Sequence, residues 1–214
     1  MKKKTILNAL IALEAVSQTS EEKSAIDLLT KLAKSIEDEA VVENTGGFGV
    51  PKEAAELNAF TLYSDGACRG NPGPGAWGSL GQDASGALFF ERSGFDYTTT
   101  NNRMELEGAI KAIETFLDHL EENELPITTP VFLYSDSKYV VDGLEKWVPG
   151  WKKRGWKKAD KKAPENLAQW QALDELKGRV PQLNMRWVKG HSGHPQNERC
   201  DELANVALDE AGIS

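Results

Sequence analysis

Two copies of one tetrapeptide constrain this chain more than any other feature. Leu62-Tyr63-Ser64-Asp65 recurs as Leu133-Tyr134-Ser135-Asp136. Each is a short apolar and aromatic run, which reads as a strand, and each ends on an aspartate followed by a small residue, Gly66 or Ser137. The second run follows a helical stretch, so it is expected to lie parallel to the first in one sheet. Neighbouring strand ends are about 4.8 Å apart, and open α/β sheets bind ligands beyond such carboxyl ends. The alternative role of each aspartate is to cap the segment that follows it.

The rest of the pattern supplies the sheet. Residues 60–64, 76–80 and 87–97 read as three strands, with Asn71-Pro72-Gly73-Pro74-Gly75 as a turn between the first two. Residues 102–120 read as a helix with Leu106, Ala109, Ile110, Ile113, Leu117 and Leu120 on one face. Residues 131–135 and 185–188 are strands, and 163–177 and 195–211 are helices, with Pro195 suited to the first helical position. Three strands followed by alternating helix and strand predict an α/β fold, a mixed five-stranded sheet flanked by helices. A domain of this size buries about 68–70% of its unfolded surface, enough for a proper core.

Composition excludes several classes. The apolar share is 40%, and no run approaches the ~18 apolar residues of a spanning helix, so no membrane role is expected. Cys68 and Cys200 are the two cysteines, too few for a disulfide scaffold, and they read as free thiols of a reducing cytoplasm. Lys2-Lys3-Lys4 ahead of an apolar stretch imitates a secretion signal, but Glu14 interrupts that stretch and no cleavage site follows cleanly. With 25 Lys and Arg against 33 Asp and Glu the net charge is −8, so any nucleic-acid site must be local.

One local site stands out. Residues 146–162 hold Lys146, Lys152, Lys153, Arg154, Lys157, Lys158, Lys161 and Lys162 against a single acid, Asp160, with Trp147, Trp151 and Trp156 between them. A solvated charge run does not explain three tryptophans. Such cations contribute phosphate affinity without sequence preference.

The beginning of the chain differs in texture. Residues 1–43 read as a small α-helical segment, a hairpin with Ile26, Leu29, Ala33, Ile36 and Ala40 as one stripe and Ser20 as an N-cap. Residues 44–58, opening on Asn44-Thr45-Gly46-Gly47-Phe48-Gly49-Val50-Pro51, read as a Gly-rich linker, and 59–214 as the main domain. Residues 1–58 contain no Arg, Trp or Tyr, which serves nucleic-acid stacking and phosphate contact poorly. A protein partner or self-association through residues 1–43 is expected instead.

Two further acids, Glu105 and Asp201, sit at the edges of helical stripes, where acids are ordinarily solvated. Spacing does not bring them to Asp65 and Asp136. A resemblance does. Residues 65–75, Asp-Gly-Ala-Cys-Arg-Gly-Asn-Pro-Gly-Pro-Gly, resemble the first motif of type I ribonuclease H. Thr100-Asn101-Asn102-Arg103-Met104-Glu105-Leu106 is similar to its second motif and Tyr134-Ser135-Asp136-Ser137 to its third. Trp187-Val188-Lys189-Gly190-His191-Ser192-Gly193-His194-Pro195-Gln196-Asn197-Glu198-Arg199-Cys200-Asp201 is similar to its last. The resemblance runs from about Phe60 to Ala207 in family order, and is to the bacterial enzymes in particular.

The resemblance implies a ribonuclease H-like fold and hydrolysis of the RNA strand of RNA/DNA hybrids. Asp65, Glu105, Asp136 and Asp201 would be the metal-binding carboxylates. Two unit charges ~5 Å apart repel by about 3 kcal/mol at an effective dielectric of 20, so such a cluster demands cations or protons. Hard Mg²⁺ suits an all-oxygen site, and Mn²⁺ is at home among the same ligands. Two ions would bracket the scissile phosphate, leaving 5′-phosphate and 3′-hydroxyl ends. His191, in a glycine-flanked loop, matches the family histidine thought to move protons or assist product release, and Asn197 a residue near the attacking water.

Substrate contacts are implied in the same way. Cys68, Asn71, Asn101 and Asn102 would follow the minor groove of the hybrid, where amides can sense a 2′-hydroxyl. Thr100 and Asn166 would belong to a DNA-phosphate pocket, in which Thr98 stands where the bacterial pattern often has Arg. Trp147, Trp151, Lys152, Lys153, Arg154, Trp156 and Lys157 resemble the basic protrusion that grips the hybrid. The rival readings are a transposase or integrase on the same fold and a catalytically dead hybrid-binding protein.

Overall fold

The structure is a computed structural model, and it describes residue 19, residues 22–26, residues 29–30 and residues 48–213. The chain divides into two units, Met1–Gly46 and Gly47–Ser214. In the first, most of the expected hairpin lies outside the described residues. What is described includes one reciprocal capping pair. Thr19 Oγ1 accepts from the Glu22 amide at 3.1 Å, and Glu22 Oε2 accepts from the Thr19 amide at 2.9 Å. This reciprocal pair is a capping box ahead of the helix at 22–26, and the expected Ser20 cap lies outside the described residues.

The second unit begins with α1 (Lys52–Glu56), then β1 (Phe60–Cys68), β2 (Gly73–Gln82), β3 (Leu88–Thr99) and α2 (Asn101–Glu122). β4 (Val131–Ser135) follows, then α3 (Lys138–Asp142), which passes through a π-turn at Gly143–Trp147 into α4 (Val148–Lys153). α5 (Leu167–Arg179), β5 (Leu183–Trp187) and α6 (Pro195–Glu210) complete it. The five strands form one sheet in the order β3-β2-β1-β4-β5, antiparallel across β1–β2 and β2–β3 and parallel across β1–β4 and β4–β5. This is the mixed sheet that the sequence predicts.

Local chemistry sets the element ends. Thr100 is extended and its hydroxyl accepts from the Arg103 amide, which starts α2. Pro195 occupies the first position of α6, where its missing N–H has no cost. α5 starts at Leu167 and not at 163, because Asn166 has φ 56°, a left-handed backbone that no right-handed helix accommodates. The short helices of 138–153 escape the sequence reading, since their charges mask the apolar spacing.

Two layers cover the sheet. On one side α2 lays Leu106, Ile110, Ile113 and Phe116 against Leu62 and Leu133, joined by Trp151, Trp170 and Leu173. On the other, Tyr63, Leu80, Phe132, Tyr134 and Cys200 form a second cluster with Ala54 and Ala59. Phe48 and Val50 also pack on it. Residues 48–58, read from sequence as linker, are therefore bound to the sheet, because α1 carries a buried Ala54 and the linker reading saw only the glycines. Among the described residues no helix is long and apolar enough to cross a membrane.

Candidate active site

Three carboxylates meet where the pairing of β1 with β4 ends. Asp65 lies in β1, Asp136 directly follows β4, and Glu105 is early in α2. One oxygen of each lies within 4.8 Å of those of the other two. The echo noted in the sequence produces this: Leu62 pairs with Leu133, Tyr63 with Tyr134 and Ser64 with Ser135, so the two aspartates emerge together.

Glycines let the helices close in. A Cβ on Gly66 would stand 2.5 Å from the Glu105 amide nitrogen. Only a residue without a side chain lets β1 and α2 approach so nearly, and that approach delivers Glu105 to Asp65. Gly78, the cross-strand partner of Asp65, plays the same part for α6, since a Cβ there would strike the Cys200 carbonyl.

The cluster is buried and strained electrostatically. Asp65 and Glu105 are 7% and 6% exposed. Burial first, then the neighbouring Asp136 and Asp201, pushes the Asp65 carboxyl up to about 7, against the 2.7 Å bond from the Gly66 amide that favours its charge. Burial, then Asp65 and Asp136, holds Glu105 well above the usual carboxylate range. No ion pair formed among the described residues involves these carboxylates. Neutral amides serve them instead. Asn101 Nδ2 donates to Glu105 Oε1 at 3.2 Å, and Asn197 Nδ2 donates to Asp65 Oδ2 at 3.4 Å and Asp136 Oδ2 at 3.3 Å. Glu105 Oε2 is buried with no hydrogen-bond partner among the described residues.

An orphaned carboxylate oxygen within an all-oxygen donor set is what a hard divalent cation would satisfy. The cluster could hold a metal ion. Asp201, the fourth acid, is half-buried on α6 and stands outside the group of three. It is near enough to raise Asp65, and its Oδ1 accepts from Asn205 at 2.9 Å.

The other expected residues have their own local surroundings. His191 is exposed in the loop between β5 and α6, with φ 48°. The Cys68 thiol donates to the Gly70 carbonyl at 2.6 Å, and Asn71 Oδ1 accepts from the Asn101 amide at 3.3 Å. Asn102 is exposed on the first turn of α2. Asn166 Nδ2 donates to the Tyr139 hydroxyl at 3.2 Å. Lys152, Lys153, Arg154 and Lys157 are exposed and Trp147 is 39% exposed. Trp151 is a correction: it lies in the core, 5.6 Å from the Trp170 ring, because its face of α4 points inward. Trp156 is half-buried against the same core.

The sequence reading missed Trp187. Its indole N–H donates to the Asp136 carbonyl at 2.9 Å, and the Lys138 ammonium lies 4.6 Å from its ring centre. This ties the end of β5 to the backbone that carries Asp136. A Trp finishing a strand ahead of the glycine-flanked His191 loop was the available signal.

The sheet order is that of a ribonuclease H-like fold, and similarity to known proteins places the chain among the nuclease hydrolases. The RNase H family profile matches residues 57–209. The ribonuclease H of Alcanivorax borkumensis is 50% identical over 153 residues, 70% of this chain and 91% of that protein. The ribonuclease H of Rhizobium etli is 47% identical over 148 residues, 69% of this chain and 90% of its own length. The crystal structure of LC11-RNase H1 in complex with an RNA/DNA hybrid has a TM-score of 0.55 and 29% identity, covering 71% of this chain and 98% of that one. The chain belongs to the ribonuclease H family.

Proposed function

We propose that the chain hydrolyses the RNA strand of RNA/DNA hybrids at the carboxylate cluster, using two Mg²⁺ ions and leaving 5′-phosphate and 3′-hydroxyl ends. The observation that carries this reading is the convergence of Asp65, Glu105 and Asp136 within 4.8 Å, with no ion pair to a cation among the described residues. Relatives of the same family and the hybrid bound by LC11-RNase H1 support the choice of substrate.

Asp65, Glu105 and Asp136 would hold the ions, with Asp201 completing the set from α6. Divalent cations bound there supply a more acidic water and stabilise charge on the leaving oxygen; Mn²⁺ can substitute. The chain's own groups do the remainder. Asn197 keeps Asp65 and Asp136 at a common amide. His191, exposed at the rim, receives and returns protons. Asn71, Asn101 and Asn102 donate and accept along the minor groove, where the 2′-hydroxyl distinguishes RNA from DNA. Lys152, Lys153, Arg154 and Lys157 hold backbone phosphates, with Trp147 beside them. Thr98, exposed, offers that task no charge. Free Cys68 and Cys200 suit a reducing cytoplasm. Residues 1–43 are assigned to contact with a protein partner or a second copy.

A hybrid with both strands labelled tests this. RNA cleavage with Mg²⁺, none with EDTA, and none by Asp136→Asn support the proposal. Cleavage of the DNA strand, or binding without cleavage, contradicts it.

A further inference from the structure

The RNase H profile begins at residue 57, yet the chain just before it is bound to the sheet. Glu53 of α1 accepts from the Tyr134 hydroxyl at 2.9 Å and from Arg186 Nε at 3.0 Å. Ala54 is fully buried. Upstream of α1, two buried glutamines take up the backbone of residues 48–49. Gln196 Nε2 donates to the Gly49 carbonyl at 2.7 Å and to Gln82 Oε1 at 3.2 Å. Gln82 Nε2 in turn donates to the Phe48 carbonyl at 3.1 Å and the Gly86 carbonyl at 2.8 Å.

In this network every amide hydrogen of both side chains has an acceptor. Buried networks satisfied to that degree fix the orientation of their members. Gln196 is the second residue of α6, and its neighbour Asn197 is the residue whose amide serves Asp65 and Asp136. The Asn197 bonds are long, 3.3 and 3.4 Å, so a small rotation of this first turn would break them.

We propose that Gln196, clamped by the backbone of residues 48–49, is a positioning residue that orients the first turn of α6 so that Asn197 bridges Asp65 and Asp136. The segment outside the family match thereby becomes part of the active unit. The inference rests on the reading of the carboxylates as metal ligands given above.

The test uses the full chain and two variants. Gln196→Met keeps the volume and removes both donors. Glu53→Ala loosens the same segment from its half-exposed end. Mn²⁺ binding is followed by electron paramagnetic resonance without substrate, alongside kcat, KM and melting temperature. Expected are a roughly tenfold weaker Mn²⁺ affinity and lower kcat for Gln196→Met, the usual size for a residue that orients ligands. Glu53→Ala should shift both in the same direction by less, and KM for the hybrid should stay near that of the parent. Parent Mn²⁺ affinity and kcat in a variant that keeps the parent near-ultraviolet circular dichroism overturn the proposal. A lowered melting temperature alone would assign the network to stability and overturn it equally. Failure of the unmodified chain to cleave hybrid would instead sink the functional reading, and the substrate-free Mn²⁺ measurement would still judge Gln196.

Discussion

Tyr63 stacks on Tyr134 with ring centroids 5.0 Å apart and planes 15° from parallel. The pair lies two residues before Asp65 and Asp136, in strands matched residue for residue. Packing of large aromatic rings thus holds the register that forces two carboxylates together. The favourable contact and the unfavourable one are consequences of the same parallel pairing. A slip of one residue would reverse the face of every side chain in the strand and separate the acids.

Replacing Asp136 with Asn should reduce hybrid cleavage at least a hundredfold, the scale expected when a group that stabilises the transition state is removed. The fold should survive, because a charge is removed from a crowded site. Steady-state turnover with circular dichroism checks both points. Near-parent turnover would remove Asp136 from the chemistry.

The raised Asp65 makes metal-free stability pH-dependent. Its folded value of about 7 exceeds the ordinary 3.8. The folded state therefore binds the proton more tightly, and stability present below pH 4 is lost as pH rises toward 7. A shift of this size corresponds to a few kcal/mol, on the order of 1.4 kcal/mol per unit. Denaturant titrations in EDTA should show that decline for the parent, and a flatter profile with higher stability at pH 7 for Asp65→Asn. Equal slopes for the two would contradict the assignment.

Gly66→Ala probes the approach of α2. The added methyl meets the Glu105 backbone at 2.5 Å, and forcing a methyl into packed backbone costs about 1–3 kcal/mol. Unfolding should become easier by that amount, with a loss of cleavage as Glu105 retreats. Unchanged stability would mean the helix is free to shift.

Converting Lys152, Lys153 and Arg154 to Ala should raise KM for the hybrid and flatten its dependence on salt, since each lost phosphate contact lowers the slope by about one. The turnover number should change little. Lys152 also pairs with Asp174 at 2.8 Å, so a small loss of stability is expected too.

Much of this was legible in the sequence, for identifiable reasons. The strands declare themselves through the repeated Leu-Tyr-Ser-Asp and the helix of 101–122 through its apolar spacing, because both patterns are local. Residues 48–56 were not legible, because their glycines imitate a linker while the contacts that hold them, to Gln82, Tyr134, Arg186 and Gln196, come from distant positions. Trp151 looked like its exposed neighbours since charges flank it, and only the turn of α4 reveals its inward face. The burial of Glu105 followed from Gly66, a contact 39 positions away that spacing alone does not encode.

The most direct test is the melting temperature of the unmodified chain at neutral pH as Mg²⁺ is titrated in. A site that binds only the folded state stabilises it by about 2.7 kcal/mol when the ligand is a hundred times its dissociation constant. The account predicts a melting temperature that climbs with the logarithm of Mg²⁺ concentration above the dissociation constant, a climb that disappears in Asp65→Asn. No rise in the parent, or the same rise in both, would contradict a metal centre built from these carboxylates.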